Sequence, residues 1–119
     1  MWGENHQPRL SEQECAAVKD AVLSTVKETK LGRALLQALE RAKVDIVFVN
    51  EVRAAQVTGG TAQETQNADT RCFGLYDPRN NTMYVDARAP LHAQLHFFAH
   101  EARHALQMAE TRRMYQENL

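Results

Sequence analysis

Residues 97 to 107 read FFAHEARHALQ, and within them His100, Glu101 and His104 have the types and spacing that hydrolytic metal chemistry needs. Two histidines at i and i+4 share one helix face with Cβ atoms about 6 Å apart, so both imidazoles can reach one tetrahedral zinc ion. A glutamate at i+1 projects about 100° away from the first histidine. There it can take a proton from a water at the metal without ligating the ion itself. The competing reading of the same residues is a solvated helix face, which Arg103 and Gln107 would share.

The motif needs a helix to hold it, and the flanking residues supply one. Pro90 suits the first turn of a helix that can run from about Leu91 to Arg113. At about 100° per residue, Leu91, Leu95, Phe98, Ala99, Ala102, Ala105, Leu106 and Ala109 fall within roughly 120° of arc, the stripe expected to face the core. His100 and His104 lie on the opposite side, with Phe97 and Met108 close to Glu101. His92 and His96 continue the four-residue spacing upstream. Residues eight apart are separated by about 12 Å along the axis and cannot share one ion, so this pair is read as surface or supporting residues.

Further upstream, Ser11 followed by Glu14 fits a capping box, and Ala17, Val18, Ala21, Val22 and Val26 recur at helical spacing behind it. Gly32 makes Thr29 to Gly32 a kink or a short turn before Leu35, Leu36 and Leu39 resume the period to about Arg41. The run from Val44 to Val52 is β-branched and aromatic and nearly continuously apolar, which predicts a central strand buried on both faces. Thr58 to Thr70 has no large apolar residue and two adjacent glycines, the composition of a loop. RCFGLY and TMYVDA flank DPRNN, so Cys72 to Asp86 is expected to form a hairpin beside that strand, with Gly74 marking a bulge or a close backbone approach. The order helix, helix, strand, loop, hairpin, helix gives an α+β class with a small, mainly antiparallel sheet and N-terminal helices.

The totals restrict function more than they indicate it. A chain of 119 residues forms one small domain, 1–119, and 44% apolar with 24% charged residues is ordinary for a globular protein. A net charge of -1 offers no electrostatic reason for nucleic acid or an anionic membrane as partner. No apolar run approaches the roughly 18 residues of a membrane span, and MWGENHQPRL lacks the layout of a signal peptide. A cytoplasmic location is expected, with signal-less secretion as an effector left open. Cys15 and Cys72 have no metal-like spacing and read as small free thiols, a bridge between them being the less favoured alternative.

With these elements around it, HEARH on a helix after a strand pair resembles the zincin metallopeptidases, and in size the chain is similar to very short metallopeptidase domains of bacterial and phage proteins. The similarity covers about Cys72 to Gln107. It implies a zinc ion held by His100 and His104, Glu101 as the general base that activates water at the zinc, and an edge strand, either arm of the hairpin, that aligns a peptide or protein substrate. It also implies a third metal ligand. Glu110, Glu117, Asp69, Asp77, Asp86 and His6 are the candidates, and none is singled out. Arg103 departs from the family pattern by placing a cation beside the second histidine, which lowers metal affinity. The function expected is a zinc-dependent peptidase; the alternative is a non-catalytic interaction or regulatory module on the same fold with a degenerate or empty metal site. Weaker candidates are Tyr76 and Tyr84 as oxyanion donors, set against simple cross-strand packing, and Trp2 as a cap on the core.

Overall fold

Ser11 starts the first helix as its sequence requires. Its hydroxyl accepts the Glu14 N–H at 3.1 Å while the Glu14 carboxylate accepts the Ser11 N–H at 2.8 Å, a complete capping box. The structure, a computed structural model, describes residues 8–53 and 71–118. Helix α1 spans Glu12–Val26, and α2 spans Lys30–Arg41 behind its own cap, Thr29, whose hydroxyl accepts the Gly32 N–H at 2.9 Å. The Thr29 to Gly32 segment is therefore a break between two helices. Gly32 serves close packing there: a Cβ at this position would lie 1.8 Å from the Val26 carbonyl oxygen.

Among the described residues, five strands and a third helix follow: β1 (Asp45–Val49), β2 (Val52–Arg53), β3 (Arg71–Cys72), β4 (Gly74–Asp77), β5 (Thr82–Asp86) and α3 (Leu91–Glu117). The main sheet has the order β1-β5-β4, and β2 and β3 form a two-stranded antiparallel pair beside it. β4 and β5 make the expected hairpin, Leu75 opposite Tyr84. Its turn is anchored by Asn81, which takes a left-handed φ of 54° and donates to the Ala42 and Lys43 carbonyls at 3.0 Å each. The class is α+β.

Two expectations about the sheet are corrected. It is mixed rather than mainly antiparallel, because β1 runs parallel to β5, with Val47 beside Tyr84. The Val44 to Val52 run is not central either: β1 lies at an edge and β5 is the middle strand. Among the described residues, helices cover one face only. Phe48, Val85 and Gly74 share a row on that face, and with Ile46, Met83 and Tyr76 they pack toward the helices. The other face carries Val47, Tyr84 and Leu75, and Val47 is 38% exposed. Unbroken apolar character in β1 thus reflects one buried face and one half-covered face. The Thr58 to Thr70 segment lies outside the described residues, as does Trp2.

α3 is longer than its expected end at Arg113, because Arg113 bridges Glu110 and Glu117 across two turns. That bond holds the Glu110 carboxyl below the usual carboxylate range. Pro90 is the N-cap rather than a first-turn residue. The buried stripe is rotated from the expected one. Phe98, Ala102 and Ala105 are buried as expected, but Leu91 and Ala99 are exposed, and Gln94 and Glu101 are buried in their place. The cause lies at the end of the middle strand. Gln94 donates from Nε2 to the Asp86 and Ala87 carbonyls at 3.1 Å each, pinning the start of α3 to the end of β5.

Gly74 lets β4 lie directly on α3. A Cβ there would meet the Phe97 Cβ at 2.9 Å and the Glu101 Cγ at 3.4 Å. Gly74→Ala is expected to destabilise the fold by about 1–3 kcal/mol through overpacking, read as a lower urea midpoint at unchanged slope. An unmoved midpoint would mean that β4 and α3 are further apart than this.

Candidate active site

The turn of α3 opposite Gly74 is where the chemistry-bearing residues collect. His100 and His104 project outward with ring centroids 4.7 Å apart at 49°. Successive turns of one helix impose that proximity. The His100 side chain is 52% exposed, so both coordination and water can reach it. Phe97 supports the ring edge-on at 6.4 Å and is itself met edge-on by Phe73 at 5.8 Å and by His96 at 5.0 Å. His92 is exposed, on the first turn of the helix.

Glu101 turns the other way, beneath β4, and is 9% exposed. Its Oε2 lies 3.9 Å from His100 Nε2, and among the described residues no group donates a hydrogen bond to the carboxylate. Taking a carboxylate out of water with so little compensation is costly, and a fold retains such a group most readily where chemistry uses it. The glutamate and the two histidines thus meet at one place, with the carboxylate shielded and the imidazoles open.

The strand above them has main-chain groups to offer. β4 is an edge of the sheet, and Phe73 accepts the Asp86 N–H at 3.0 Å, which fixes the alternation along it. Leu75 and Asp77 turn their main-chain groups toward β5, so the N–H and C=O of Gly74 and Tyr76 point to the open edge. Among the described residues nothing pairs with them.

The third-ligand candidates are dispersed. Asp77 accepts from the Arg79 N–H at 2.9 Å and from its Nε at 3.3 Å. Asp86 is fully buried and accepts the Arg88 N–H at 2.8 Å. Glu110 and Glu117 both pair with Arg113, while Asp69 and His6 lie outside the described residues. Among the described residues no group of three or more His, Cys, Asp or Glu side chains is placed to hold a metal. His100 and His104 are exposed and adjacent on one helix, and would supply two of the ligands that a zinc site needs. Arg103 is exposed beside them.

Neither tyrosine joins the site. Tyr76 donates its hydroxyl proton to Asn81 Oδ1 at 2.6 Å and accepts from Arg112 at 3.2 Å, which places it about 12 Å along α3 from His104. Tyr84 lies on the sheet face turned away from α3, its hydroxyl accepting from Asn80 Nδ2 at 3.4 Å. Two other residues matter more here. Gln94 orients the helix and Gly74 seats the strand; a hint existed only for the glycine, since a buried glutamine has no distinctive local pattern. Neither cysteine forms a disulfide, and burial pushes the Cys15 thiol up from its ordinary value.

Among the described residues no helix is long and apolar enough to cross a membrane. No family model matches the chain, no curated protein matches its sequence and no solved structure matches its fold.

Proposed function

We propose that the chain is a zinc-dependent metallopeptidase in which His100 and His104 hold the ion and Glu101 is the general base. The observation that supports this best is the pairing of opposites on one helical turn. Two exposed imidazoles have centroids 4.7 Å apart, and a buried carboxylate reaches to 3.9 Å from one of them. A solvated face would leave Glu101 in water as well. Zinc, when bound, acts as a Lewis acid on the peptide carbonyl and brings the pKa of water to about 7. Glu101 would accept a proton from water as its oxygen bonds to the carbonyl carbon, and would pass that proton to the amine as the C–N bond breaks, a transfer that needs a base held in place and screened from bulk solvent. The outward N–H and C=O of Gly74 and Tyr76 take an extended substrate as an added strand. A peptide or protein substrate follows, with the cytoplasm as the compartment.

The alternative is a non-catalytic interaction module whose metal site is degenerate, and the engagement of Asp77, Asp86, Glu110 and Glu117 elsewhere favours it. One experiment separates the two. A ligand bound only by the folded state adds RT ln(1 + [L]/Kd), about 2.7 kcal/mol at a hundredfold excess over Kd, so zinc should raise Tm on the order of 10 °C. The rise should vanish in His100→Ala and His104→Ala. Zinc-loaded chain should cleave an unstructured casein substrate and stop when a chelator is added. A Tm rise with no cleavage would favour the non-catalytic reading, and no rise at all would remove the metal from both.

A further inference from the structure

A large cavity among the described residues is at the opposite edge of the sheet from β4. It is a groove of about 610 Å3 between α1 and β1, with Leu10, Cys15 and Ala16 on its helix side and Ile46 to Asn50 along its strand side. Consecutive residues of one strand line a groove only where the backbone itself is open to it. The ladder explains why. Asp45 N–H donates to the Asn81 carbonyl at 3.0 Å and the Val49 carbonyl accepts the Ala87 N–H at 2.7 Å, so odd-numbered residues of β1 are turned to β5. Ile46 and Phe48, between them, aim N–H and C=O away from β5 and into the groove. Among the described residues these two donors and two acceptors have no partner. Phe48 is only 6% exposed, and buried main-chain groups are almost always paired.

We infer that this groove binds an extended segment of a partner polypeptide, which adds to β1 as a fourth strand antiparallel to it. A small molecule or a helix could not match donors and acceptors repeating every two residues; a strand does. Two partner residues, two apart, exchange hydrogen bonds with Ile46 and Phe48. Their side chains then point to the α1 side, into Leu10, Cys15 and Ala16, which calls for small or medium apolar residues there. Arg9 and Lys19 flank the groove against one acid, Glu12, so acidic residues outside the apolar pair suit it. A second copy of this chain fits less well. α1 packs on β1 beside the open edge, so β1-to-β1 pairing would bring two α1 helices into a space sized for one strand of about five residues.

The inference stands apart from the proposed peptidase activity, because β1 and β4 are opposite edges. The test uses the 15N-labelled full chain and the capped synthetic peptide EVTVTVE. The Ile46 and Phe48 amide signals should shift saturably, and their hydrogen exchange should slow about tenfold or more on binding. Methylating the amide nitrogens of the peptide valines removes the donors to β1 and should weaken binding about tenfold or more. Ala16→Phe, at an exposed α1 position, should fill the groove and abolish binding at unchanged Tm, while Lys19→Glu weakens it and His100→Ala leaves it intact. The inference is overturned if neither amide responds up to about 1 mM peptide, the weak end of specific recognition. It is equally overturned if the methylated peptide binds as well as the parent. Protection of both amides without peptide would also overturn it: growing with protein concentration it would assign the groove to a second copy, and independent of concentration to another part of this chain.

Discussion

If the proposed function holds, Glu101→Gln should retain zinc and lose peptidase activity by about 10²-fold or more. The amide keeps the size of the carboxylate and can still fill the space beneath Gly74, but it cannot accept a proton, and removing a general base typically costs that much in rate. Because Glu101 is not expected to ligate the metal, the zinc-induced rise in Tm should survive the substitution. Stability provides a second readout. Glu101 is 9% exposed and no described residue donates a hydrogen bond to it, so a neutral side chain there should leave Tm unchanged or higher. A residue kept for packing would show the reverse, lower stability with activity intact. Equal cleavage rates for the parent chain and Glu101→Gln would sink the assigned mechanism.

Phe98→Ala should cost about 3–5 kcal/mol, the range for deleting a buried aromatic ring, against a total of about 5–15 kcal/mol for a domain of ordinary stability. Phe98 is 1% exposed and heads the fully buried side chains by volume. It also sets the orientation of α3. With Phe98 inward, its neighbours two and three residues on divide, His100 to solvent and Glu101 to the sheet edge. Equilibrium urea unfolding should give a much lower midpoint, and the chain should be partly unfolded at ambient temperature. A loss below about 1 kcal/mol would mean that α3 presents another face to the core, and the division of roles between histidines and glutamate would go with it.

What could be read from the sequence was what neighbouring residues decide among themselves. Ser11 and Glu14 cap each other across three positions, the Pro78 to Asn81 turn folds the chain back, and His100 and His104 must stand together on any helix that contains them. Those are interactions of residues at most a few positions apart, and their geometry is set by backbone dihedrals and helical rise.

What required the tertiary structure was everything decided by which elements meet. An apolar run such as Val44 to Val52 has the same appearance in a middle strand and in an edge strand with one half-covered face. Only pairing with β5, more than thirty residues downstream, made it an edge. The helical stripe was legible to within about a quarter turn, since periodicity gives the width of an apolar arc but not the surface it meets. Gln94 bonding to the end of β5 and Gly74 opening a place for Glu101 rotated the buried side, and the rotation put the carboxylate under cover while leaving both imidazoles in water. The motif determined that three groups could act together; the packing of β4 on α3 decided which of them solvent reaches.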